Sequence, residues 1–196
     1  AALMLKEKDR FRGNTNYEHD IADVVRQTLT DSTYYLLKDI AASYDKKDMK
    51  AFKEQYTVFL DVLTDLNRLL AQIDIFTLEQ WTGSARKVCD EVNGTTEADR
   101  DWMEWNARTL VSVWGPEQCA ERGRLHDYSS RQWGGMLGDF QRARWEMFFT
   151  ALEEGKTITS QEWFKWEENW SRSHTITKVP AEDPVAIAEE LYNKYF

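Results

Sequence analysis

The residues most able to do chemistry gather in one stretch, Leu125-His126-Asp127-Tyr128-Ser129-Ser130-Arg131-Gln132-Trp133-Gly134-Gly135-Met136-Leu137-Gly138-Asp139-Phe140. His126-Asp127-Tyr128 could form a polar site at the start of a helix. Asp127 acting as a plain N-cap explains the same residues, and caps are far commoner than active sites. Gly134, Gly135 and Gly138 cost roughly 1 kcal/mol each relative to Ala if they lie inside a helix. Such a cost signals close backbone approach, to another helix or to a neighbouring domain; packing within the chain is the favoured reading. The nine tryptophans are the second unusual feature. Trp102 and Trp105, and Trp163, Trp166 and Trp170, recur at helical spacing, which ordinarily means core. Indole rings also suit the face of a sugar or a domain interface. Trp114 differs: it stands beside Gly115-Pro116 at a helix end, where a side chain can project into a cleft.

Much familiar chemistry is missing. There is no H-E-x-x-H, E-x-x-H or C-x-x-C, and His19, His126 and His174 lie far apart, so no metal site is expected. No G-x-G-x-x-G, P-loop or G-x-S-x-G occurs, and no cofactor is expected. Carboxylates abound, but nothing picks out a pair about 5–9 Å apart with divergent pKa values, as glycoside hydrolysis requires.

Composition narrows the partners. The 25 Lys+Arg against 34 Asp+Glu give a net charge of −9, which argues against nucleic acid and against an anionic membrane surface. No apolar run approaches the ~18 residues of a membrane span. Hydrophobic residues at 42% suffice for a real core, and 196 residues suit one domain. Cys89 and Cys119 read as two semi-buried thiols. The apolar start, Ala1 to Leu5, is too short for a signal-peptide core and follows no initiating Met, so the chain reads as part of something longer.

The elements that must position these residues are helical nearly throughout. Residues 1–16 read as a ragged lead-in, the remnant of a preceding domain. A first helix is expected over 17–44. A second carries Phe52, Tyr56, Phe59, Leu63, Leu66, Leu70 and Ile73 at spacings of 4-3-4-3-4-3, a heptad seam better suited to an intramolecular bundle than to a dimer, since it lasts only three heptads. Thr77 to Gln80 reads as a capping box, with Gly94 as the C-cap of the helix it opens. Thr96 opens a fourth helix to about Val113. A loop from Trp114 to Arg124 precedes a fifth over 127–154. Thr159 to Glu162 caps a sixth, an extended connector spans 175–182, and Asp183-Pro184 opens a seventh ending at Tyr195. About seven helices with short loops predict one all-α bundle spanning 17–196.

Several motifs together resemble the C-terminal region of the α-N-acetylglucosaminidases, glycoside hydrolase family 89. They are Trp114-Gly115-Pro116-Glu117; Leu125-x-Asp127-Tyr128-Ser129-x-Arg131-Gln132-Trp133-x-Gly135; Asp139-Phe140; and Arg144-Trp145. The likeness continues through Asp23 to Gln27, Glu97-Ala98-Asp99, Asn106-x-Arg108 and Leu191-Tyr192-x-Lys194-Tyr195, so it covers almost the whole chain. The family includes a lysosomal heparan-sulfate enzyme and bacterial mucin-degrading relatives. The resemblance implies an all-α domain that closes a longer polypeptide and packs on a catalytic (β/α)8 barrel. It implies a retaining mechanism whose two glutamates lie on that barrel, with no catalytic residue in this chain. By motif, Trp114, Leu125 and Tyr128 would line the pocket for a terminal α-linked N-acetylglucosamine, while Trp133, Gly134 and Gly135 are candidates for the domain interface. The compartment implied is secreted or periplasmic in a bacterium and lysosomal in an animal. A free-standing helical module that binds carbohydrate or protein is the competing reading, and an independent helical enzyme is the weakest.

Overall fold

The computed structural model describes residues 1–118, 129 and 131–196. Among them are helices α1 (Ala2–Lys6), α2 (Thr15–Asp45), α3 (Met49–Leu70), α4 (Leu78–Lys87), α5 (Glu97–Leu110), α6 (Ala143–Glu153), α7 (Ser160–Ser171) and α8 (Pro184–Tyr195). A π-helical segment, Leu137–Arg142, runs straight into α6, and 3₁₀ turns Asp74–Phe76 and Val88–Glu91 flank α4. The described residues contain no strand, only a single parallel bridge between Thr77 and Gly134. The chain is thus one all-α domain, as its periodicity predicts.

The heptad seam sets the first half of the molecule. Phe52, Tyr56, Phe59, Leu63, Leu66, Leu70 and Ile73 are all buried, together with Ile21, Val25 and Leu29 of α2 and Ile187 and Leu191 of α8. The seam is therefore used inside the chain. Phe149 of α6 stacks on Tyr56 at 4.9 Å, and Trp145 meets Phe59 edge-on at 5.1 Å. The caps follow the sequence. Asn14 and Asp48 accept the Tyr17 and Ala51 N–H groups, and Asp183 accepts from Val185 and Ala186 ahead of Pro184. Thr96/Asp99 and Thr159/Glu162 make reciprocal capping boxes. Thr77 accepts the Gln80 N–H, half of the box expected there.

A second, smaller cluster joins α4, α5 and α7. Leu78, Val111, Met136, Phe140 and Trp170 form its buried centre, with Trp133, Trp166 and Ile176 packed around it.

Two expectations need correction. Residues 1–16 are not ragged throughout: Met4 and Leu5 of α1 pack on the main core, and Tyr17 Oη donates to the Met4 carbonyl at 2.8 Å. The fifth helix does not run unbroken from 127, because residues 131–133 are non-helical, Gly134 bridges to Thr77, and helix begins only after Gly135. Gly134 N–H donates to Phe76 O at 2.8 Å, and Leu78 N–H donates to Gly134 O at 2.9 Å. Gly135 then turns through φ +85°, a left-handed conformation that glycine tolerates. Helical periodicity continues through this stretch in the sequence, but backbone pairing to the α3–α4 connection wins locally.

Candidate functional site

Residue types on both sides of the 119–128 segment fix a frame. On the upstream side, α5 ends in a buried turn: Val111, Ser112 and Val113 are all buried, and Ser112 Oγ donates to Arg108 O at 2.8 Å. Trp114 is the first residue to emerge from it. Its N–H reaches back to Thr109 O at 2.9 Å, its φ is +59°, and its side chain is half-buried. A left-handed tryptophan costs of order 1–3 kcal/mol and persists only where the surroundings impose it. The helix end supplies that constraint.

On the downstream side, the strap Arg131–Gly134 is held at three points. Gln132 Oε1 accepts from Arg26 Nη1 at 2.5 Å and from Thr30 Oγ1 at 3.2 Å, tying the strap to α2. Arg26 is itself oriented by Asp23, whose Oδ1 accepts from Nε and Nη2 at 2.9 and 2.7 Å. Trp133 packs against Trp81, with ring centroids 5.7 Å apart, and Trp81 Nε1–H donates to Ala107 O. Gly134 completes the hold. A Cβ there would stand 2.5 Å from Ala71 N and 2.6 Å from Ala71 Cα, so only glycine lets the strap reach the end of α3. A Cβ at Gly135 would meet Ile176 at 3.0 Å. Asn67 of α3 does what no residue of the strap can: its Oδ1 accepts the N–H groups of Gly135 and Gly138 at 2.8 and 3.0 Å and caps the π-helical segment from another helix. Nothing in the local sequence marks Asn67 for this role, because the helix it caps is far along the chain.

Between α2 and the strap lies a cleft of about 520 Å³, lined by Asp23, Arg26, Gln27, Thr30, Phe76, Arg131, Gln132, Trp133 and Gln141. Two stretches singled out in the sequence, Asp23 to Gln27 and Arg131 to Trp133, thus meet on one surface. Trp133 is on its wall; Trp114 is not. Leu125 and Tyr128, with His126, Asp127 and Cys119, lie outside the described residues. Cys89 is a buried free thiol.

A second polar group sits behind α5. Arg108 is fully buried, its Nε donates to Glu104 Oε1 at 3.0 Å, its Nη2 donates to Thr175 O at 3.3 Å, and its guanidinium lies 5.0 Å from the Trp170 ring. Glu104 Oε2 also meets Arg86 Nη1 at 3.0 Å and His174 Nδ1 at 2.9 Å. Arg144 likewise donates to the buried Glu167 at 2.8 Å. Burial pushes the Arg108 pKa down. Burial alone would raise Glu104, but the bonds from His174 and Arg108 overcome it and hold the carboxyl below its usual value. Asp101 is lowered by its bond from Arg86. Every described carboxylate with a clear shift is shifted down: Asp99, Asp101, Glu104, Glu162 and Glu182. A glycosidase general acid needs the opposite, a carboxyl kept protonated near neutral pH. In the α2 cleft, Asp23 is the sole carboxylate among the described residues, and Arg26 occupies it. Behind α5, Asp101 and Glu104 do lie close, both bonded by Arg86 Nη1, but that shared cation and His174 hold both carboxyls down rather than keeping one protonated.

Comparison with known proteins agrees with the resemblance read from the motifs. A family model described as the alpha-N-acetylglucosaminidase (NAGLU) C-terminal domain matches residues 1–194. Human alpha-N-acetylglucosaminidase is 23% identical over 204 residues, which span 99% of this chain and 26% of the human protein. A family 89 glycoside hydrolase from Clostridium perfringens, solved in complex with 2-acetamido-1,2-dideoxynojirmycin, superposes with a TM-score of 0.86 at 27% identity over 99% of this chain and 23% of that one. A Clostridium perfringens enzyme of this family, solved in complex with its substrate GlcNAc-alpha-1,4-galactose, gives 0.85 at 27% identity over 98% and 22%. The chain therefore corresponds to about a quarter of the length of these relatives.

Proposed function

The chain belongs to the alpha-N-acetylglucosaminidase C-terminal domain family, and on that premise we propose that it is the helical wall of a retaining exo-α-N-acetylglucosaminidase. It packs on a catalytic (β/α)8 barrel that supplies both catalytic glutamates. Trp114, with Leu125 and Tyr128, closes one side of the pocket for a terminal α-linked N-acetylglucosamine. Trp114 gives the ring face, Tyr128 a ring and a hydroxyl, and Leu125 an apolar wall. Trp133 stands at the domain interface, and Gly134 and Gly135 serve that interface by holding Trp133 at the rim.

The observation that carries this reading is the family match along residues 1–194, supported by the downward shift of Asp101 and Glu104, the wrong direction for acid catalysis. A left-handed Trp114 anchored by its backbone on a buried helix end also suits a wall better than a core filler, since a wall must keep its position when the pocket is empty. The compartment that fits is secreted or periplasmic in a bacterium, lysosomal in an animal.

Hydrolysis of 4-nitrophenyl N-acetyl-α-glucosaminide is the test. The 196-residue chain alone should release no nitrophenol above background, whereas the full-length polypeptide carrying these residues should release it readily. Turnover by the 196-residue chain itself would move the catalytic acids into this domain and overturn the proposal.

A further inference from the structure

A shallow hollow of about 220 Å³ opens between the first half of α5 and the residues that follow α7. Its lining is Asp101, Trp102, Trp105, Arg172 and His174, none of which borders the α2 cleft. Three of these five groups are fixed from behind, and a fourth, Trp105, is covered. Asp101 Oδ1 accepts from Arg86 Nη1 at 2.7 Å. His174 Nδ1 lies 2.9 Å from Glu104 Oε2, which orients the ring and leaves Nε2 as the outward nitrogen, 3.9 Å from Asp101 Oδ1. Arg172 is held by Glu168 through Nε and Nη2 and lies 4.4 Å from the Trp105 ring, covering it. Trp102 is the exception. Its surface is 56% exposed, and no ring or cation among the described residues stands over it.

We propose that this hollow is a second carbohydrate site, which takes one neutral pyranoside ring on the face of Trp102 with its hydroxyls shared between Asp101 and His174. The indole face is electron-rich and attracts the weakly positive C–H groups of a pyranose face. A carboxylate has lone pairs for two neighbouring hydroxyl protons, and the outward imidazole nitrogen can hydrogen-bond a third hydroxyl. Because Arg86 and Glu104 hold these groups in place, binding costs little side-chain ordering. The charges select the ligand class. Asp101 and Glu104 repel phosphate or sulfate, and Glu168 already neutralises Arg172. A divalent cation is disfavoured because Arg86 occupies the Asp101 carboxylate, and no group of three metal-binding side chains occurs among the described residues. The hollow is smaller than the ~300 Å³ of drug-sized pockets, so it accepts a single ring rather than a longer saccharide. A weak second grip would keep a glycan close to the protein and raise the effective concentration of its ends.

The test is a titration of the 196-residue chain with methyl α-galactoside and methyl N-acetyl-α-glucosaminide, following the indole N–H resonances. At least one glycoside should bind saturably, with a Kd in the millimolar range, and shift the Trp102 signal. Trp102→Ala should weaken binding about tenfold, Asp101→Asn about threefold, and Trp102→Phe, which keeps a ring face, should stay within about threefold of the parent. Trp102 and Asp101 are surface residues, so these variants fold, and circular dichroism verifies it. No saturable shift with either glycoside, or unchanged affinity in Trp102→Ala, would overturn the proposal.

Discussion

The two halves of this domain are held together by different physics. The α2–α3–α8 half is an apolar seam, with Phe52, Leu66, Leu69 and Leu70 essentially inaccessible and little buried charge among them. The α4–α5–α7 half has a small apolar centre and surrounds it with buried charge: Arg108 paired with Glu104, and Glu167, which the half-buried Arg144 of α6 meets. An apolar seam tolerates volume-conserving change and asks only for bulk and pattern. A buried ion pair adds little net stability over a hydrophobic one, but leaving one member alone is severe. The second half is therefore the more demanding of its exact partners, and it is the half that carries Trp114, the strap beyond it and the hollow at Trp102.

The contrast can be broken at its strongest point first. Glu104→Ala leaves Arg108 buried without its carboxylate and should cost about 4 kcal/mol in a urea unfolding curve. A loss near 1 kcal/mol would mean that water reaches Arg108 and that the two halves are less different than drawn. Leu66→Ala in the seam should cost about 3 kcal/mol, and its penalty should be independent of pH between 4 and 8, since no ionisable group is involved.

Gly134→Ala drives a methyl into the Ala71 backbone and should cost about 2 kcal/mol, read as a lowered Tm. A neutral or stabilising outcome would show that the strap can lift away from α3 without loss. The smallest effect is a pH trend. Glu104 is held below its ordinary value of 4.5, so its contribution is complete above that pH and is lost as pH falls through the lower folded-state value. The stability gap between the parent chain and Glu104→Gln should therefore narrow below pH 4.5, while the Leu66→Ala gap stays flat until the whole domain unfolds.

The same contrast governs how much could be read from the sequence. The seam of α3, the capping residues Thr96, Thr159 and Asp183, and the extended connector before α8 follow from local spacing, and local spacing decides them in the folded chain. The strap at Arg131–Gly134 does not, because its conformation comes from partners far away in sequence: Arg26 and Thr30 on α2, Asn67 on α3, and the Phe76 and Leu78 backbone. The three glycines did signal close approach, and for Gly134 the approach is to Ala71 within this chain. Arg108 and Glu104 were legible only as part of a charged helix, since a buried ion pair at i,i+4 looks the same in sequence as an exposed one. The role proposed for Trp114 is legible in Gly115-Pro116 beside it; its left-handed backbone and the buried turn beneath it are not. Leu125 and Tyr128 lie outside the described residues, so the pocket role proposed for them rests on the motif alone.

If, as proposed, Trp114 serves a pocket completed by another part of the polypeptide, Trp114→Ala in the full-length polypeptide will separate that role from packing, with kcat/KM on 4-nitrophenyl N-acetyl-α-glucosaminide measured together with Tm. kcat/KM should fall about tenfold or more, with Tm changed by no more than about 2 °C. Unchanged kcat/KM, or a loss of activity that only follows a collapse in Tm, would make Trp114 a packing residue and contradict the proposed role.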